Sequence, residues 1–139
     1  METIEVFLVE DNPADVLLIR VALSQLAVPL KLLVAKDGEQ ALQMLSSADF
    51  QPQLMILDLN MPRIDGQTVL KECQRTKIPI VIFSSTQNKV EVQKALALGA
   101  REYVQKPLGF EPYAAAIRGI VKRWVVPPPE ASSRPVDAP

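Results

Sequence analysis

Five short apolar runs alternate along this chain with five stretches of helical period, and that rhythm constrains the fold more than any other feature. The strand candidates are 4–9, 31–35, 53–57, 79–83 and 101–105. The helix candidates are 13–26, 38–47, 66–75, 87–98 and 110–125. Local chemistry supports the helix ends. Asn12 suits an N-cap, Pro13 the first helical position, and Asp15 complements the helix dipole. Asp37-Gly38-Glu39-Gln40 reads as a capping box closed by Gln40, and Gly99 after Leu98 as a C-terminal stop. Five strand–helix units predict an α/β, doubly wound domain: a parallel sheet with helices on both faces and right-handed crossovers.

In such a sheet, ligands bind beyond the carboxyl ends of the strands. Glu10-Asp11 follows the first strand candidate and Asp58 the third. Ser84-Ser85-Thr86 follows the fourth, and Lys106 the fifth. The chemically capable residues therefore share one edge. Charges at the ends of buried strands are costly unless they face one another or a metal. Two carboxylates about 5 Å apart at an effective dielectric near 20 repel by roughly 3 kcal/mol. Lys106 offsets part of that, and a divalent cation would offset more. An all-oxygen donor set suits Mg2+, with Mn2+ able to substitute, rather than Zn2+. A carboxylate beside such a metal and a lysine can attack phosphorus and hold the phosphoryl group as an acyl phosphate. Ser84 is placed to hydrogen-bond the new phosphoryl oxygen.

Composition narrows the chemistry further. The 139 residues include no histidine, which excludes a Ser-His-Asp or Cys-His triad, a His-rich zinc site and a phosphohistidine carried by this chain. Cys73 is the single cysteine, so no internal disulfide forms. Fifteen basic and sixteen acidic residues leave a net charge of -1, and no basic cluster interleaves with aromatics, so no nucleic-acid partner is expected. No apolar run approaches the roughly 18 residues of a membrane span, and no signal-peptide pattern opens the chain. The expectation is a cytoplasmic protein with no membrane partner. Residues 1–126 read as one domain, and 127–139 as a proline-rich, flexible tail.

The chain resembles response-regulator receiver domains, the phosphoacceptor partners of sensor histidine kinases. The matching segments are Leu8-Val9-Glu10-Asp11-Asn12, Leu57-Asp58-Leu59-Asn60-Met61-Pro62 through Asp65-Gly66, Ile82-Phe83-Ser84-Ser85, and Leu98-Gly99-Ala100 with Tyr103-Val104-Gln105-Lys106-Pro107. The opening Glu10-Asp11-Asn12-Pro13-Ala14-Asp15 also resembles small stand-alone receivers that partner phytochrome-type kinases. The resemblance implies a flavodoxin-like sheet of order 2-1-3-4-5 with five helices. It implies Asp58 as phosphoacceptor, and Asp11, Glu10, Asp58 and the Asn60 backbone carbonyl as metal ligands. It makes Lys106 the phosphoryl contact, Ser84 the switch hydroxyl and Tyr103 the aromatic that changes rotamer with it. Asn60 and Thr86 take the positions that tune acyl-phosphate lifetime. A cis bond between Lys106 and Pro107 is implied as well. The implied partners are a sensor histidine kinase or phosphotransfer protein and a downstream protein partner, with homodimerisation through helix four, strand five and helix five. No DNA-binding output domain is expected, so the implied output is a protein contact.

Other readings compete with this one. A Mg2+-dependent phosphatase would need a second acid two residues after its nucleophile, where this chain has Asn60. The expectation is therefore a signalling protein and not an enzyme. A flavodoxin-like nucleotide binder would want a glycine- or hydroxyl-rich loop after the first strand, where two acids stand instead. A constitutive binding module would tolerate loss of an acid, Ser84 or Lys106, yet all are present. The first helix is apolar over a broad face that includes Val16, Leu17, Ile19, Val21 and Leu23. Most of it must be core, with room for a partner patch. Trp124 reads equally as cover for a core edge or as a dimer contact.

Overall fold

The computed structural model describes residues 3–61, 66–86 and 88–125. The expected tail, 127–139, lies outside these, as do Val126 and the motif residues Pro62 and Asp65. Strands β1 (Ile4–Val9), β2 (Leu30–Ala35), β3 (Leu54–Leu57), β4 (Ile80–Ser84) and β5 (Glu102–Gln105) alternate with helices α1 (Pro13–Ser24), α2 (Gly38–Leu45), α3 (Gly66–Glu72), α4 (Lys89–Ala97) and α5 (Phe110–Trp124). A short 3-10 turn, Cys73–Arg75, extends α3. All strands are parallel, in the order β2-β1-β3-β4-β5, as expected.

Side chains alternate across a strand, so each central strand feeds two cores. Val6 and Leu8 of β1, Leu54 and Ile56 of β3, and Val81 and Phe83 of β4 face α1 and α5. Phe7, Val9, Met55, Leu57, Ile80 and Ile82 face the opposite layer, with Val69, Leu70 and Ala95 from α3 and α4. Both faces are covered, which is why β3 and β4 read as unbroken apolar runs. Each fully buried side chain of this kind contributes about 1.5–3 kcal/mol.

The helix ends follow from local hydrogen bonds. The Asn12 side chain accepts from the Ala14 N–H at 2.8 Å, and Asn88 caps α4 by accepting from Val90 and Glu91. Asp37 caps α2 by accepting from Gln40 N–H. The return bond of the expected capping box is displaced by one residue: the Gln40 side chain accepts from Lys36 N–H, not from Asp37. Gly99 stops α4 with φ 111°, in the left-handed region that favours glycine. Trp124 covers a core edge, one of its two expected roles. Its indole N–H donates to Glu102 at 2.8 Å while its ring packs on the α1/α5 core, and Arg123 pairs with the same carboxylate at 2.8 Å.

Strand register aligns the site. Val9 lies opposite Leu57, so Glu10 and Asp58 leave the sheet side by side, and the Asp58 N–H donates to the Val9 carbonyl at 3.1 Å. Ser84 pairs with Gln105, which brings Lys106 to the same edge, its N–H bonded to the Ser84 carbonyl at 2.9 Å. Ser84 is the last residue of β4 rather than the first of the loop. The Lys106–Pro107 bond is trans, against the cis bond the resemblance implies. Trans is the lower-energy isomer before proline by about 0.5–1 kcal/mol, and Lys106 reaches its partners from it.

Candidate functional site

Two strand ends, those of β1 and β3, place three acids together. Glu10 and Asp58 are buried, at 2% and 6% exposure, and Asp11 is exposed. One carboxylate oxygen from each lies within 4.8 Å of the others. The donors are all oxygens, which suits a hard divalent cation and fits the Mg2+ or Mn2+ expected from the sequence. Asp58 is held at both oxygens: Oδ1 accepts from the Asn60 N–H at 3.0 Å, and Oδ2 faces Lys106 Nζ at 3.2 Å. Glu10 accepts from Asn12 N–H at 3.2 Å and from Lys106 Nζ at 2.9 Å.

The charges shape one another. Burial, opposed by the Lys106 hydrogen bond and reinforced by the Asp58 charge, raises the Glu10 carboxyl to about 7. Burial works against the Lys106 ammonium, but the Glu10 hydrogen bond and the charges of Asp58, Glu10 and Asp15 outweigh it and hold the group above its ordinary value. Lys106 stays protonated at any physiological pH.

On the β4 side, Ser84 is fully buried. Its Oγ lies 3.5 Å from Asn60 Nδ2 and 3.4 Å from the Thr86 N–H. The Tyr103 hydroxyl donates to the Thr86 carbonyl, so Ser84, Thr86, Asn60 and Tyr103 form one connected group. Burial raises the Tyr103 hydroxyl, with Ser84 lowering it in part. Every residue the sequence analysis assigned to the site is therefore at this edge. Ser85, read as loop, is exposed.

Two further residues were not found by sequence reasoning. Asp15, read only as a helix-dipole partner, places Oδ2 at 3.2 Å from Lys106 Nζ. Tyr113 of α5 donates its hydroxyl to Asp15 Oδ1 at 2.5 Å. Gly66, quoted as part of a motif, also has a physical role. A Cβ there would sit 2.6 Å from Leu59 Cα and 2.8 Å from the Asp58 carbonyl, so any side chain would displace the segment that carries Asp58.

Comparison with known proteins agrees with this geometry. The family model described as the response regulator receiver domain matches residues 6–118. The crystal structure of the phosphorylated cyanobacterial phytochrome response regulator RcpA superposes with a TM-score of 0.83 at 31% identity, covering 89% of this chain and 95% of that one. The Mn2+-bound form of response regulator Rcp1 superposes with a TM-score of 0.79 at 28% identity, covering 87% and 94%. Response regulator Rcp1 of Synechocystis sp. is 28% identical over 129 residues, 86% of this chain and 88% of that protein. A probable methanogenesis regulatory protein, FilR2 of Methanothrix harundinacea, is 29% identical over 128 residues, 86% of this chain and 83% of that protein.

Proposed function

This chain belongs to the response regulator receiver domain family, and from that premise we propose that it is a phosphoacceptor switch whose acceptor is Asp58. The donor is a phosphohistidine on a sensor histidine kinase or phosphotransfer protein. An Asp58 carboxylate oxygen attacks phosphorus in line. The O–P bond forms as the P–N bond to the donor imidazole breaks, and the imidazole departs with the electron pair. Mg2+, or Mn2+ in its place, bound by Glu10, Asp11, Asp58 and the Asn60 carbonyl, would supply charge neutralisation at the phosphoryl oxygens. Lys106 supplies the rest from the opposite side.

The observation that carries this reading is the position of Lys106 Nζ, 3.2 Å from Asp58 and 2.9 Å from Glu10, both buried. Three carboxylates, Glu10, Asp15 and Asp58, contact one ammonium, and a fourth, Asp11, joins Glu10 and Asp58 in the acidic cluster. The surplus of negative charge is tolerable where a cation binds and costly elsewhere. The Mn2+-bound form of Rcp1 supports the metal by analogy.

After transfer, Ser84 and Tyr103 rearrange toward the phosphoryl group and alter the surface of α4, β5 and α5, where a downstream protein or a second copy would bind. Asn60 and Thr86 set the phosphoryl lifetime. The phytochrome response regulators among the structural relatives favour a phytochrome-type kinase as donor. Exposed Leu17 and Val21 on α1 and Leu108 after β5 give that kinase an apolar approach to the site. Among the described residues no helix is long and apolar enough to cross a membrane, and a cytoplasmic place suits a kinase partner.

The test is intact mass after incubation with Mg2+ and acetyl phosphate, beside an Asp58→Asn control. One labile phosphoryl group on the parent alone is expected. Equal labelling of the variant would overturn Asp58 as acceptor.

A further inference from the structure

Lys106 has three N–H donors, and three carboxylates take them: Glu10 at 2.9 Å, Asp15 at 3.2 Å and Asp58 at 3.2 Å. Two of these belong to the acidic cluster fit for a divalent cation, with Asp11 as its third member. Asp15 does not. A cation that engages Glu10 and Asp58 withdraws electron density from both of the lysine's other partners. Asp15 is then the carboxylate left to hold the ammonium in place.

Asp15 is built for that task. A first-turn aspartate serving only the helix dipole can stay in solvent with free rotamers. Here the Asp15 side chain is 18% exposed, and its second oxygen accepts a 2.5 Å hydrogen bond from the Tyr113 hydroxyl. An O–H to carboxylate bond of that length is charge-assisted. Tyr113 is itself fixed: it is 5% exposed, on α5, with its ring edge-on to Phe83 at 5.1 Å. A chain of contacts therefore runs from α5 through Asp15 to the ammonium and on to Asp58.

We propose that Asp15, braced by Tyr113, is the positioning residue for Lys106, holding its ammonium over the phosphoryl site while a divalent cation occupies Glu10 and Asp58. This rests on Asp58 as phosphoacceptor and adds a residue pair that acts on the reaction only through Lys106.

The experiment is a double-mutant cycle in the full chain with Asp15→Asn and Lys106→Met, read by the rate of labelling with acetyl phosphate and by Mg2+ affinity from calorimetry. Asp15→Asn should slow labelling about tenfold in the parent and less than about twofold in the Lys106→Met background. Mg2+ affinity should fall about threefold in the parent, because an unanchored Lys106 competes for Glu10 and Asp58, and should fall less without the lysine. Asp15→Glu, which keeps the charge, should recover part of the rate. Equal losses in both backgrounds would assign Asp15 a merely structural role and overturn the proposal. If the parent takes no phosphoryl group, the acceptor reading fails while the Mg2+ cycle still decides this one. Should Asp15→Asn not fold, Tyr113→Phe carries the same cycle, with labelling about threefold slower in the parent only; an unchanged rate would remove Tyr113 from the device.

Discussion

Every side-chain partner of Lys106 is charged, whereas Ser84 is held by neutral donors alone. On the β1, β3, α1 and α5 side, the ammonium meets three carboxylates at 2.9–3.2 Å and Tyr113 clamps one of them at 2.5 Å. On the β4 side, Ser84 Oγ sits 3.4–3.5 Å from the Thr86 N–H and Asn60 Nδ2, and Thr86 Oγ1 accepts from Asn88 N–H at 3.3 Å. Charge-assisted hydrogen bonds contribute about 1.5–3 kcal/mol and neutral ones about 0.5–1.5, less when long. The first half fixes where chemistry can occur. The second can be rearranged at small cost, as a two-state element biased by a few kcal/mol requires. One site thus combines a rigid charge frame with a soft hydroxyl group.

The comparison breaks most easily at Lys106. Lys106→Ala leaves buried Glu10 and Asp58 without their cation, and removing one partner from a buried ion pair costs about 3–5 kcal/mol. Thermal unfolding in EDTA at pH 8 should show that loss, and saturating Mg2+ should recover much of it. A melting temperature unchanged in EDTA would mean the charge frame contributes nothing to holding the edge together. Glu10→Gln should have the next largest effect, and it depends on pH. Glu10 moves from 4.5 unfolded to about 7 folded, so the folded state binds the extra proton between those values. Stability of the metal-free protein should therefore fall as pH rises from about 4.5 to about 7 and level off above, by an amount on the order of 3 kcal/mol. Glu10→Gln should lack that slope and be the more stable protein at pH 8 in EDTA, while losing Mg2+ stabilisation. Parallel pH profiles for the two proteins would rule out Glu10 as the titrating group.

The same contrast explains what could be read from the chain. The fold was legible because alternation and capping are local: all five strands and five helices fall within about two residues of their expected limits, α3 through its 3-10 extension. The acids, Ser84 and Lys106 were legible because each ends an apolar run, and strand ends share an edge in a parallel sheet. Asp15 and Tyr113 were not. Each satisfies a local rule, one as a first-turn acid and the other as the apolar face of a helix, and they stand 98 residues apart. Only the packing of α1 against α5 reveals their contact. The Gln40 bond to Lys36 and the trans Lys106–Pro107 bond diverge for a related reason. A motif specifies which residues are present, but the final hydrogen bond or isomer depends on energy differences of about 1 kcal/mol.

The soft half supplies the smaller effects. Tyr103→Phe deletes the hydrogen bond to the Thr86 carbonyl, a neutral pair at a half-buried position, and should cost about 1 kcal/mol. Ser84→Ala should cost less still, under about 1 kcal/mol, because the hydrogen bonds that Ser84 Oγ accepts from Asn60 and Thr86 are long. A methyl group fits the space without leaving a charge unpaired. For a domain of this size that is a melting shift of only a few degrees. The functional consequence should be out of proportion to it. With Mg2+ and acetyl phosphate, the variant should still gain its phosphoryl group on Asp58, yet the amide resonances of Tyr103 and α4 should move far less than in the parent, because no hydroxyl follows the phosphoryl oxygen. A drop of several kcal/mol would instead make Ser84 part of the rigid frame, and a full resonance shift without its hydroxyl would place the switch elsewhere in the fold.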